Sequence, residues 1–167
     1  MNAALLILRL VGGLGIAAQG AQTVSYTYSW FGGGGINGTG AFFESIGFRP
    51  GSRFAVVAGL GEFLGGLLLA LGFLGPIGPA LILSVMLAAI FSVHKGHGFF
   101  AVTNGAELPI LYIIGALTVA FAGAGQYSLD RVVGLDSALP PMVTRVVLAF
   151  GVLGALGSLA VQWCLSQ

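Results

Sequence analysis

The sequence predicts an all-α fold, an integral membrane helix bundle, and three observations carry that reading. The chain is 57% apolar and only 7% charged, whereas a soluble domain carries about 25% charged residues. So few charges cannot cover a surface in water. Five stretches are long and apolar enough to span a bilayer, which takes about 20 mostly apolar residues. The alternating polarity of a membrane β-barrel, over strands of ~10 residues, is absent. In lipid every backbone group must be satisfied internally, so the five stretches are expected to be helices.

The first stretch, about 4–22, lacks a basic n-region and carries Arg9 in its middle. A cleaved signal has the reverse pattern, so this is expected to be a retained transmembrane helix. Residues 23–53 read as a long loop, with WFGGGGINGTG followed by AFFESIGFRPGSR. The second stretch is about 54–74 and the third about 77–94. Between them FLGPIGP, rich in Gly and Pro, predicts a tight hairpin. The fourth stretch is about 107–124. GQYSLDRVVGLDSALPP then forms a polar link, ending in two prolines, before the fifth stretch at about 142–163. The expected organisation is a four-helix core over 1–130, with 131–167 adding a linker and a fifth helix.

An odd number of spans puts the termini at opposite ends of the bundle. We call the end with the 23–53 and 94–106 loops and the C-terminus end B, and the N-terminal end end A. Arg49, Arg53 and Lys95 fall at end B, Arg131 and Arg145 at end A. That balance gives no orientation by the positive-inside rule. Tyr26, Tyr28, Trp30 and Phe31, with Phe99 and Phe100, mark an interface at end B.

Several function classes are excluded. Net charge is +1 with no basic run, so nucleic acid is not a partner. A single cysteine, Cys164, rules out a disulfide framework and a redox C-x-x-C motif. GGGGINGTG lacks the lysine of a phosphate loop. There is no nucleophile–base pair, so no catalytic residue is assigned. His94 and His97 form an H-x-x-H pattern, but on a Gly-broken turn this has low specificity, and no metal site is expected.

Polar groups inside apolar stretches are costly in lipid and mark structure or function. Arg9 shares a helical face with Gly13, Ile16 and Gly20. Glu62 shares one with Ala58, Gly59, Gly65 and Gly66. Small residues let membrane helices approach closely, so both charges lie on packing faces. At 1.5 Å per residue they differ in depth by about 7 Å, within reach of an extended arginine. A structural Arg9–Glu62 ion pair is expected on that basis. The rival reading makes Glu62 a ligand-facing or proton-handling carboxylate.

The stretch VHKGHGFFAVTNGAELP (93–109) gathers both histidines, Lys95 and Glu107. Asn104 or Thr103 suits a helix cap, and Glu107 suits a positive helix end. Gln19 falls near the end-B terminus of the first helix. Gln19, Glu62, His94, His97 and Glu107 are thus expected to converge at end B as a ligand site. The bland alternative is helix punctuation and interfacial solvation.

The motifs LLILRLVGGLGI, WFGG with GTGAFFESIGF, AGLGEFLGGLLLALGFL, VMLAAIFSVHKGHGFF, NGAELPILYI and GAGQYSLD occur in order over about the first 130 residues. In these the chain resembles the DoxX family of small bacterial membrane proteins. The resemblance carries over Arg9, Glu62, the HGFF of His97 to Phe100, and Asn104, Gly105 and Glu107 as the family's polar positions. One departure is that Gln19-Gly20 stands where the family often has His-Gly followed by Lys.

The resemblance implies a multi-pass protein of the bacterial inner membrane and a redox association, since relatives belong to quinol- and quinone-linked oxidoreductases. It stops short of an enzyme. The implied role is a subunit of a quinone-linked complex, with quinone as a non-covalent ligand and electrons supplied by a partner subunit. The alternative is a membrane scaffold that recruits a soluble partner protein. Membrane lipids surround the bundle under either role, and both are compatible with an oligomer.

Overall fold

A computed structural model describes residues 2–25, 34–135 and 139–165 of the chain. Among them the regular structure is helical: α1 (Asn2–Val24), α2 (Gly35–Ser45), α3 (Gly51–Leu71), α4 (Ile77–Ser92), α5 (Glu107–Ala122), α6 (Leu129–Val133) and α7 (Pro141–Leu165), with a short 3₁₀ turn at Ala101–Thr103. All five apolar stretches are helices. The expected interfacial aromatics Tyr26, Tyr28, Trp30 and Phe31 lie outside the described residues.

Helices α1 and α3 run antiparallel in backbone-to-backbone contact. A Cβ at Gly20 would strike the Gly59 carbonyl, and one at Gly13 the Gly66 carbonyl. Glycine is what permits this approach, and dispersion and close fit hold such helices where lipid removes the hydrophobic drive. Helix α4 packs against α3, α5 and α7, and α5 also touches α1. Ile16, Leu69, Ile82, Met86, Ala116 and Val119 form the core where α1, α3, α4 and α5 meet. Helix α7 runs alongside α4, where Gly151 meets Ala80 and Gly154 meets Ser84. The outward faces are oily: Val11, Val57, Phe121 and Phe150 are exposed, which suits hydrocarbon.

Among the described residues three helices, α1, α3 and α7, are long and apolar enough to cross a membrane. Helices α4 and α5 have 16 residues each, about 24 Å at 1.5 Å per residue, short of a hydrocarbon core of about 30 Å. Both stop earlier than the apolar runs suggested, α5 at Gly123 (φ 81°) and α4 in a turn where the His94 amide bonds the Ala89 carbonyl.

Two links differ from expectation. Residues 23–53 are not simply a loop. Helix α2 lies within them and packs on the start of α3, where Glu44 accepts a hydrogen bond from the Gly51 amide at 3.0 Å. The 125–141 link holds α6, capped by the Ser128 hydroxyl, which accepts from the Arg131 amide at 3.2 Å.

Candidate functional site

The two charges inside the long helices go to opposite ends of the bundle. Arg9 is 1% exposed. Its Nη1 donates to the Ala124 carbonyl at 2.6 Å and its Nη2 to the Tyr127 carbonyl at 2.7 Å. Asp130 supplies an electrostatic partner. Asp130 is itself buried. Its two carboxylate oxygens accept from the Leu74 and Gly75 amides at 2.9 and 2.7 Å, and its own amide donates to the Gly72 carbonyl at 3.0 Å. Leu74 and Gly75 both have positive φ, so Asp130 secures a left-handed turn between α3 and α4. The end-A cluster joins α1, the α3–α4 hairpin and the 124–130 link.

The expected Arg9–Glu62 pair is therefore not formed. Compatible depths do not bring two side chains together when they lean in different directions. Side chains on a helix lean toward its N-terminus. The N-terminus of α1 is at end A and that of α3 is at end B, so the two side chains lean apart.

Glu62 turns to end B. It lines a cavity of about 280 Å³ with Gln19 and Thr23 from α1, His94 after α4, Asn104 from the following loop and Tyr112 from α5. Glu62 and Tyr112 are close enough to interact electrostatically. Among the described residues the Glu62 carboxylate has no hydrogen-bond partner, and neither does the Gln19 amide side chain. Both are half-buried. Two ligand-capable groups thus face one space with their polar atoms uncommitted.

The 93–106 loop is folded over this cavity. The His94 Nδ1 lies 2.7 Å from the Asn104 carbonyl. That oxygen can only accept, so Nδ1 carries the proton, and in the neutral ring Nε2 is left as an acceptor. The Glu107 amide bonds the Phe99 carbonyl at 2.8 Å and the Ala106 amide the Gly98 carbonyl at 3.2 Å. A Cβ at Gly105 would strike the Phe99 carbonyl group, so the loop closes only with glycine there.

Of the five residues expected to converge, Gln19, Glu62 and His94 line this cavity, and His97 and Glu107 do not. His97 is exposed. The Glu107 carboxylate accepts from the Ala101 amide at 2.8 Å, which staples the 3₁₀ turn to the start of α5. Neither Thr103 nor Asn104 caps that helix: Ala106 holds the cap position, and the Thr103 hydroxyl donates to the His97 and Phe100 carbonyls. Sequence reasoning missed Asp130 and Tyr112. The S-L-D-R run, with serine at a cap and an acid two residues on, was the available signal for Asp130. Tyr112 carried none, as an aromatic in an apolar helix.

The DoxX family model matches residues 4–95, which include Arg9, Gln19, Glu62 and His94. A protein of Haemophilus influenzae is 41% identical over 106 residues, covering 58% of this chain and 78% of its own. A second from the same organism is 34% identical over 55 residues, covering 32% of this chain and 36% of its own. Both are described only as uncharacterized proteins. No solved structure matches significantly. By the extent of the family match, its coverage of that first relative and its apolar helices, the chain belongs to the DoxX family of membrane proteins.

Proposed function

We propose that this protein is a subunit of a quinone-linked oxidoreductase complex in the bacterial inner membrane, and that the end-B cavity receives a quinone head group. The observation that carries the reading is the Glu62 carboxylate, uncommitted and facing a cavity it shares with Gln19 and His94. A ligand site of this kind has an apolar body with a few placed polar groups. The Gln19 amide donates to a ring carbonyl. His94 and Glu62 hold or move a proton at His94 Nε2 and at the Glu62 carboxyl oxygens. A bound quinone supplies the two-electron, two-proton couple, and the electrons come from a partner subunit.

The test is titration of the purified complex in mild detergent with a quinone analogue. Wild type is expected to bind, and Glu62→Gln or His94→Ala to bind about tenfold more weakly, the worth of one good hydrogen bond. Absence of binding to wild type sinks the reading.

A second reading is supported by the tip of the 93–106 loop. Phe99 and Phe100 are exposed there and Val102 is 93% exposed, an apolar tip suited to a partner protein. A soluble protein that co-purifies while no quinone analogue binds would put a scaffolding role first.

The same proposal includes five membrane crossings, with α4 and α5 spanning despite their length. Cys164 is exposed near the end of α7. It and a cysteine introduced at Lys95 in a Cys164→Ser background are expected to react with an impermeant thiol reagent from the same side of the membrane. Opposite accessibility would leave α7 uncrossed.

A further inference from the structure

The end-B cavity has a neighbour of different chemistry. A second cavity of about 330 Å³ lies between α2, α3, α4 and α7, and shares Thr23, Glu62 and Ala89 with the first. Phe42, Phe43, Phe48 and Phe54 form one wall as a continuous row, with successive ring centroids 6.1, 5.6 and 4.9 Å apart. Glu62 is the single charged residue among those that line it. Three of the hydroxyls there turn back on their own helices: Thr23 to the Gln19 carbonyl, Ser92 to Ala88 and Ser158 to Ala155. They therefore present little polarity to an occupant. Phe42 and Val57 are exposed at its lip, apolar side chains that suit contact with hydrocarbon.

We propose that this second cavity holds the hydrocarbon tail of the ligand whose head group lies against Glu62, so that the substrate class is a tailed quinone entering from the membrane. The inference rests on the head-group reading above and adds the tail site and the route. Gln19 and His94 lie on the head-group side of Glu62, whereas the other side is lined mainly by apolar and aromatic residues, with Thr39 and Ser84 the further hydroxyls there, which suits a molecule that is polar at one end only. Helix α7 closes the tail site with Gly154 and Ser158, and is held in place where Gln162 donates to the Ile46 carbonyl at 2.7 Å. That wall lies beyond the residues matched to the family. A tail moving from lipid into this cavity gains no hydrophobic free energy, because lipid is as apolar as the cavity. Its advantage is close contact with the rings, and it is correspondingly modest.

The experiment compares 2,3-dimethoxy-5-methyl-1,4-benzoquinone, a head group alone, with its 6-decyl derivative. Both are titrated against the full chain at one fixed detergent concentration, so that micellar partitioning is common to every protein. Wild type is expected to bind the decyl compound about tenfold more tightly than the bare head. Ala88→Phe on α4 and Ser158→Phe on α7 each fill the tail cavity from a different side, and melting identifies whichever of them folds. Each is expected to erase the decyl advantage while binding the bare head as wild type does. Glu62→Gln is expected to weaken both compounds by the same factor. If the filled variants keep the decyl advantage, or wild type shows none, the tail site is overturned and the head site stands. If wild type binds neither compound, the head-group reading falls and the tail site with it.

Discussion

Arg9 and Glu62 are both charges set in long apolar helices, on faces of small residues, yet the structure treats them oppositely. Arg9 is enclosed, with two carbonyls bonded to its Nη1 and Nη2 and a carboxylate nearby, and only its Nε without a hydrogen-bond partner among the described residues. Glu62 is turned into a cavity with no hydrogen bond among the described residues. A buried charge of either sign is expensive in lipid, so the sequence position alone identifies a residue that matters. What separates structure from function is whether the protein supplies its partners. End A is a closed polar lock and end B is an open one.

The comparison can be broken most directly at end A. Arg9 and Asp130 each meet two backbone groups, and leaving one such group buried without a partner costs about 1–3 kcal/mol. Arg9→Leu and Asp130→Asn are each expected to lower melting markedly in mild detergent, Asp130→Asn because it weakens acceptance from two turn amides. Their double mutant should lose clearly less than the sum, since the two act through one cluster. Arg9→Leu combined with Glu62→Gln should be additive. Non-additivity in that second cycle, with additivity in the first, would reverse the assignment of partners.

Much of the fold was legible in the chain, for a physical reason. Spanning length and apolarity are local properties, so the five stretches were read and all are helices. Helix α2 is not legible because GINGTGAFFES is rich in glycine, which weakens a helix by about 1 kcal/mol per residue relative to alanine. It exists by packing on α3, with Gly40 against Ser52 and Glu44 on the Gly51 amide. At the site, composition gathered Gln19, Glu62 and His94 correctly to one end. It could not separate His94 from His97. Helix α4 ends at Ser92, before both histidines, and Gly96 at φ 89° turns the chain between them, so His94 lines the cavity while His97 is exposed. The Arg9 partner is not legible from depth alone, because spacing carries no direction of lean, and Asp130 reads as part of a linker.

A middle-sized effect tests the open end. Glu62→Gln keeps the size of the side chain and removes no hydrogen bond to the described protein. Its melting is therefore expected at or above the wild-type value, because a charge that is costly in lipid and has no hydrogen-bond partner among the described residues is removed. Its loss should appear in ligand binding, at about tenfold. A large melting loss for Glu62→Gln would make the carboxylate structural, and the contrast between the ends would disappear.

The smallest expected effect is the most discriminating for the two histidines of the 93–106 loop. His97 is exposed and lines neither of the cavities that meet at Glu62. His97→Ala is expected to leave quinone-analogue binding and melting at wild-type values, while His94→Ala weakens binding. The two residues lie three positions apart and share the same composition argument, so a difference between them can come only from geometry. Glu107→Gln supplies the intermediate case. Its Oε2 accepts from the Ala101 amide, and an amide oxygen can keep that bond at reduced strength, so a loss of about 0.5–1.5 kcal/mol is the ceiling. That loss should register in melting, with the binding of the analogue changed only so far as the loop over the cavity loosens. If His97→Ala weakens binding as much as His94→Ala does, the ligand reaches beyond the described cavity to the outer face of the loop. The exposed Phe99 and Phe100 would then be part of its site and not a surface for a partner.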